Sequence, residues 1–426
     1  MPLTLVVGRA DSPAPLERVD GMRRSFASDP LPEGRLRVAW NRAVAPADAH
    51  SPLVTPDGEI LALTVHGDLL ELGSDGTEKR RLGVGLGPLS PGAILADGTL
   101  VTMTASGEAV GVRLTTQNAR VRFRTRVGDQ GVQPMVAPLA LDDGGVIVAH
   151  SVARRAVRRG AVTLESELAV LDAEGVVRVK AIVPTWIAWP LLAAGGGVAA
   201  IGAEGAVFLW APGDATRSLS GGLVRVGSFD GRLDGGAAAR GASELVAVVD
   251  GRRVVSLDLA HGQATVLATT STSTWLGPPS IGGDAIYLLE ATTTGTLLVT
   301  IDRAGSIRRD RLSTLPAGIE IDGGVSPSST PVHTATLVDG AGRVAFGGPD
   351  GHVGVFHSGT VDDLGGVVCE RGVPPVDLSV SATSASPHAL PSSRPSAGFA
   401  GLSPAGPGTF LVACEGGALL EVTEDR

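Results

Sequence analysis

Cysteine is almost absent from this chain: Cys369 and Cys414 are the only two, 45 residues apart. They form no metal-ligand spacing and no CxxC redox motif, which leaves either one disulfide or two buried thiols. Lysine is equally scarce, with Lys79 and Lys180 alone, and a GC-rich coding bias toward arginine accounts for that without a functional reason. Positive charge is in deficit, with a net −9 and a pI near 5.4, so no nucleic-acid partner is expected. No apolar run approaches the ~18 residues of a membrane helix, so no membrane span is expected. The opening MPLTLVVGRADSP has neither the basic region nor the long apolar core of a signal peptide. The expected compartment is cytoplasmic on that reading, and the cell envelope or exterior if the true start carries a signal sequence. The chain also lacks a G-x-S-x-G elbow and an HExxH pair, and Gly-rich pieces such as AAGGGVAAIG connect strands instead of opening a helix.

Turn formers are abundant. The 59 Gly and 28 Pro make up about a fifth of the residues without a collagen period, which implies many short elements. Hydrophobic content of 43% with a mean hydropathy of +0.23 fits a chain that buries a large core. The organising stretch is 244–267, where β-rich runs at 245–249 and 252–257 meet at Asp250-Gly251 and a third run follows at 264–267. Asp-Gly suits the positive φ angles of a two-residue hairpin.

This unit recurs. A small or polar residue followed by Gly stands between apolar runs at His66-Gly67, Ser106-Gly107, Glu204-Gly205, Asp250-Gly251, Thr294-Gly295, Asp350-Gly351 and Gly416-Gly417, with spacings of 40, 98, 46, 44, 56 and 66. The interval of 98 holds two periods of about 49, its missing marker replaced by the extended hairpin HSVARRAVRRGAVTLESE. Upstream turns such as Asp97-Gly98 and downstream turns such as Glu174-Gly175 complete three turns per period, and so four strands. Four-stranded units at this period predict an all-β fold, a single eight-bladed β-propeller, with seven blades as the alternative. The last unit stops at its third strand, 418–422, and residues 35–40 supply the spare strand that would complete it and cover two open sheet edges. The expected organisation is an irregular N-terminal leader at 1–33, wrapped on the surface or partly disordered, a propeller at 34–426, and a Pro/Ser/Ala-rich loop insertion at 374–397.

The repeat exemplified by SLDLAHGQATVL and AVLDAEGVVRVK resembles that of the pyrroloquinoline-quinone-like propellers, which include quinoprotein alcohol dehydrogenases and outer-membrane assembly lipoproteins of the BamB kind. The resemblance covers roughly residue 34 to the end and implies an eight-bladed disc. In the dehydrogenases a Trp closes most repeats after the Gly; Trp40, closing GRLRVAW, is the one position here that is similar. Those enzymes hold the quinone over a disulfide of adjacent cysteines beside a calcium ion. With Cys369 and Cys414 far apart in sequence, the resemblance implies a propeller without cofactor or metal.

Of the eight histidines, His66 and His261 stand beside turn glycines, and His352 and His357 point to opposite faces of one strand. No converging metal set is expected. His50 and His333 lie at entrances to first strands and are kept as candidates. In an up-and-down blade, the second-to-third hairpin and the blade-to-blade connection emerge on one face of the disc. Arg154, Arg155, Arg158 and Arg159 fall in such a hairpin. Trp186, Trp189 and Trp275 fall in connections, as does the 374–397 insertion. Trp and Arg dominate binding hot spots, although a Trp before a Pro-rich turn also plugs the space between blades. The expected function is a non-catalytic, monomeric binding or scaffold protein that takes a protein or peptide on that face. The alternative is an enzyme, a lyase, hydrolase or degenerate quinoprotein, with its site at the channel mouth.

Overall fold

The computed structural model describes residues 14, 16, 19, 20, 22–44, 51–64, 66–87, 89–115, 118–128, 136–141, 143–155, 162–211, 222–312, 336–348, 352–364, 399–414 and 417–425. Every regular element among them is a strand, and the strands form eight antiparallel sheets taken up in chain order. Blades 1 to 7 occupy 53–83, 93–126, 139–183, 192–228, 233–269, 274–311 and 336–363; blade 8 combines 399–424 with Leu36–Ala43. The eight-bladed propeller is therefore the fold, and the seven-bladed alternative falls away.

The turn chemistry read from the sequence sets the blades. At the blade 5 hairpin, Asp250 has φ 54° and Gly251 φ 62°, the left-handed pair that Asp-Gly tolerates, and the loop is one residue longer than expected, 250–252, since Val249 stands opposite Arg253. Glu244–Val249 pairs with Arg253–Asp258 in full register across it. Blade 3, which lacks the marker, instead runs two ten-residue strands, Val146–Arg155 and Val162–Leu171, as one unbroken ladder.

Closure is as expected. Leu36–Ala43 lies antiparallel to Ala418–Glu424, with Val38 opposite Val422 and Ala43 opposite Ala418, so the two ends of the chain share one sheet. Trp40 on this strand reaches the next blade. Its Nε1 donates to the Ser74 carbonyl and to Glu421, and its ring lies where a Cβ on Gly76 would sit, 2.5 Å away. Phe123, on the outer strand of blade 2, covers Gly175 of blade 3 in the same way. A glycine in the third-to-fourth turn thus makes room for the neighbouring blade's aromatic ring.

The core is a ring of seams. Each apolar cluster spans neighbouring sheets, as with Val246, Val254, Trp275, Ile286 and Val299 between blades 5 and 6. Both faces of a middle strand are buried, which explains runs such as Leu245–Val249 that are apolar throughout.

Candidate functional site

The first strand of each blade pairs with its second on one edge only, and first strands of neighbouring blades approach one another around the axis. Their other edge faces the channel. That edge is taken by the chain's own N-terminal segment, which follows the channel wall in blade order. Val54 of blade 1 donates to the Ala14 carbonyl at 3.0 Å, and Leu16 bridges Ala93 of blade 2. The Met22 carbonyl accepts from Ala239 of blade 5 (2.9 Å), Arg24 from Ile281 of blade 6 (2.8 Å), Ser25 from Val338 of blade 7 (3.0 Å), and Pro30 from Gly408 of blade 8 (2.7 Å). Phe26–Ala27 adds to blade 7 as a fifth, parallel strand.

Blades 3 and 4 are reached by a side chain. Arg23 is fully buried; its Nη2 donates to the Pro138 carbonyl at 2.8 Å and its Nε to the Leu191 carbonyl at 3.0 Å. Leu31 then anchors the exit, its N–H donating to the buried Asp339 carboxylate, which Arg343 also holds at 2.6 Å. The belt is bent to fit: Val19, Arg23 and Ser25 have φ of 75°, 55° and 52°, a region that L-residues, and a β-branched one above all, enter only when their surroundings impose it. The leader was expected on the surface. Its described residues instead bury Ala14, Leu16, Ala27 and Leu31, because the free inner strand edges offer donors that no other element satisfies.

On the face carrying the second-to-third hairpins and the blade-to-blade connections, the sequence-selected residues separate. Four consecutive strands per blade keep the blade 3 hairpin and the later connections on one side. Arg154 and Arg155 end the second strand of blade 3. Arg158, Arg159, His50, His333, Cys369 and the 374–397 insertion lie outside the described residues; of the described strands on either side, Thr360–Asp363 ends and Phe399–Gly406 begins on that face.

The tryptophans divide. Trp186 is half-buried at the face, its carbonyl accepting from Ala203 at 2.9 Å. Trp189 is 9% exposed and packs between blades 4 and 5. Trp275 is 1% exposed: its N–H donates to Gly251, its indole Nε1 to the Arg252 carbonyl at 3.2 Å, and the Arg309 guanidinium stacks on its ring. These hydrogen bonds to the preceding hairpin hold the Trp275 ring in the seam, while Trp189 is held by apolar packing alone; both seal blades and present little aromatic surface to a partner. Cys414 is buried and disulfide-bonded, and Cys369 is the one other cysteine in the sequence.

One feature of this face escaped sequence reasoning. A cleft of about 400 Å³ opens between blades 1 and 2, lined by Gly83 to Leu86, Ser106, Glu108 and Arg124. Leu86 is 91% exposed at its rim, and Arg124 faces Glu108 at 3.9 Å. The sequence signal was a lone Leu between two glycines, LGVGLGPLS, in a blade connection. A small cavity beside Cys414 holds about 20 Å³, room for one water.

No family model matches the sequence, and no curated protein matches it. Among solved structures, the computationally designed Ika8 protein is similar at 12% identity and a TM-score of 0.52, over 89% of this chain and 96% of that one. That likeness concerns the fold alone. BamB from Moraxella catarrhalis aligns at 15% identity and a TM-score of 0.35, over 94% of this chain and 96% of its own, a superposition too loose to support an argument.

Proposed function

We propose that this protein is a non-catalytic binding propeller that takes a protein or peptide on the hairpin face, with the Leu86 cleft and half-buried Trp186 as its apolar contacts. The observation that carries the reading is the bonded inner edge of the blades. A propeller enzyme would use the channel mouth, and here the first strands of blades 1, 2, 5, 6 and 7 are bonded to Ala14, Leu16, Met22, Arg24 and 25–27 of the N-terminal segment. A quinone does not fit the residues present: the sequence has no adjacent cysteines to stack one, and the buried Arg23 guanidinium is already bonded to the Pro138 and Leu191 carbonyls. Membership of the quinone-like repeat class is supported by Trp40 and Phe123 docking on Gly76 and Gly175, and in this reading the chain is a cofactor-free relative.

The face offers a cleft rimmed by Leu86, with the Arg154 and Arg155 strand end, the end of Thr360–Asp363 and the start of Phe399–Gly406 on the same side. Apolar rims beside Arg are the composition of binding hot spots. The test is affinity capture from native extract read by mass spectrometry, comparing the wild type with Leu86→Asp combined with Trp186→Ala, and with Arg303→Glu in a turn of the opposite face. The proposal expects a captured partner that the first variant loses and the second retains. Equal capture by both variants overturns it.

A further inference from the structure

Among the described residues, the fourth strand of every blade forms the rim of the disc and leaves one edge unpaired, which invites pairing with another chain unless charge or a bulge blunts it. Seven of the eight are charged. Glu78–Gly83 reads EKRRLG, Ala119–Arg126 ARVRFRTR, Val177–Val183 VRVKAIV, Leu223–Ser228 LVRVGS, Ile307–Arg311 IRRDR, Thr360–Asp363 TVDD and Leu36–Ala43 LRVAWNRA. Blade 5 is the exception: Gln263–Thr269, QATVLAT, carries no charge, and Gln263, Ala264, Thr265, Val266 and Thr269 are all exposed.

Charge returns only at the two ends of this strand, with opposite signs. Just beyond Thr269 the Arg252 guanidinium lies against the Ser271 carbonyl at 2.8 Å. Just before Gln263 the Asp258 carboxylate, half-exposed, holds His261 Nδ1 at 2.8 Å; that hydrogen bond keeps the carboxyl below its usual range and so ionised. An uncharged middle with a cation at one end and an anion at the other is self-complementary under a two-fold axis. Antiparallel pairing about Val266, with Leu267 left out of the ladder as a β-bulge, sets Gln263 of one copy toward Thr269 of the other, and brings each Arg252 toward the other copy's Asp258. On rims such as Ala119–Arg126 and Thr360–Asp363 a two-fold sets arginine against arginine or aspartate against aspartate.

We infer that blade 5 is a homodimerisation edge, joining two copies through Gln263–Thr269 into a continuous eight-stranded sheet. The molecule already accepts an added strand elsewhere, at Phe26–Ala27 on blade 7. A seven-residue edge buries less than the ~1,200 Å² of a stable dimer, so the association is reversible and concentration-dependent.

Sedimentation equilibrium of the full chain from about 5 to 500 μM, the range of weak interfaces, tests this. The weight-average mass should climb from 43.0 kDa toward twice that value. Val266→Lys places two ammonium groups at the two-fold and should hold the mass at the monomer value, and Arg252→Glu should weaken the dimer about tenfold. Ile182→Lys, on the blade 3 rim at 51% exposure against 50% for Val266, should dimerise like the wild type. Far-UV circular dichroism confirms that each variant is folded. A wild type that stays at 43.0 kDa throughout overturns the inference, as does a dimer that Val266→Lys leaves intact.

Discussion

Replacing Leu16 and Leu31 with alanine separates a belt inside the channel from a leader lying on the surface. Leu16 is 1% exposed within the cluster that joins blades 2, 3 and 4, and Leu31 is 2% exposed between blades 7 and 8. A buried Leu→Ala change loses three carbons of apolar burial and leaves a cavity, costing about 2–4 kcal/mol where neighbours cannot collapse. The two sites pack on different blades, so their effects should add. Leu86, at 91% exposure, is the internal control, and its alanine variant should stay within about 0.5 kcal/mol. Urea unfolding followed by tryptophan fluorescence and circular dichroism supplies the free energies. If both belt variants fall within the control's range, residues 14–31 do not pack in the channel, and the reasoning about the axis fails with them.

Deleting residues 1–45 removes Leu36–Ala43, bares the edge of Ala418–Glu424 and should produce aggregation visible by light scattering; a soluble, folded product would refute strand closure. Burial raises the Glu421 carboxyl above its ordinary range against the opposing Trp40 hydrogen bond, so the folded state holds the proton more tightly than the unfolded chain. Stability from this group is present at acid pH and is lost as pH rises from about 4.5 upward. Glu421→Gln should therefore gain in melting temperature relative to the wild type across that window, and a constant difference would contradict the assignment. Cys414 is disulfide-bonded, so alkylation of the unfolded protein should label two thiols only after reduction; labelling without reductant would refute a Cys369–Cys414 bridge.

The turns and the closure were legible in the sequence because both are local rules. Asp250-Gly251 is a backbone requirement written in two residues, and a unit with three strands of its own leaves an edge that the strand at 36–43 covers. The belt follows no such rule. Residues 14–31 show neither period 2 nor period 3.6, and their partners are backbone groups as distant as Gly408. Arg23 reads as a surface residue until its acceptors, the carbonyls of Pro138 and Leu191, are placed around it. Trp275 and Trp186 looked alike as aromatics in connections. What divides them is whether a preceding hairpin offers the indole a carbonyl, as Arg252 does. The Leu86 cleft depends on how two blades splay, which no single stretch encodes.

Amide hydrogen exchange of the full-length protein tests most directly whether the N-terminal segment is bonded along the inner strand edges of the propeller. Peptides covering 22–31 should exchange as slowly as the first strand of blade 7, Thr336–Asp339, because the belt opens only when the ring does. Exchange of 22–31 complete on the order of seconds, while Thr336–Asp339 stays protected, would contradict the account and return the channel to the candidates for a ligand site.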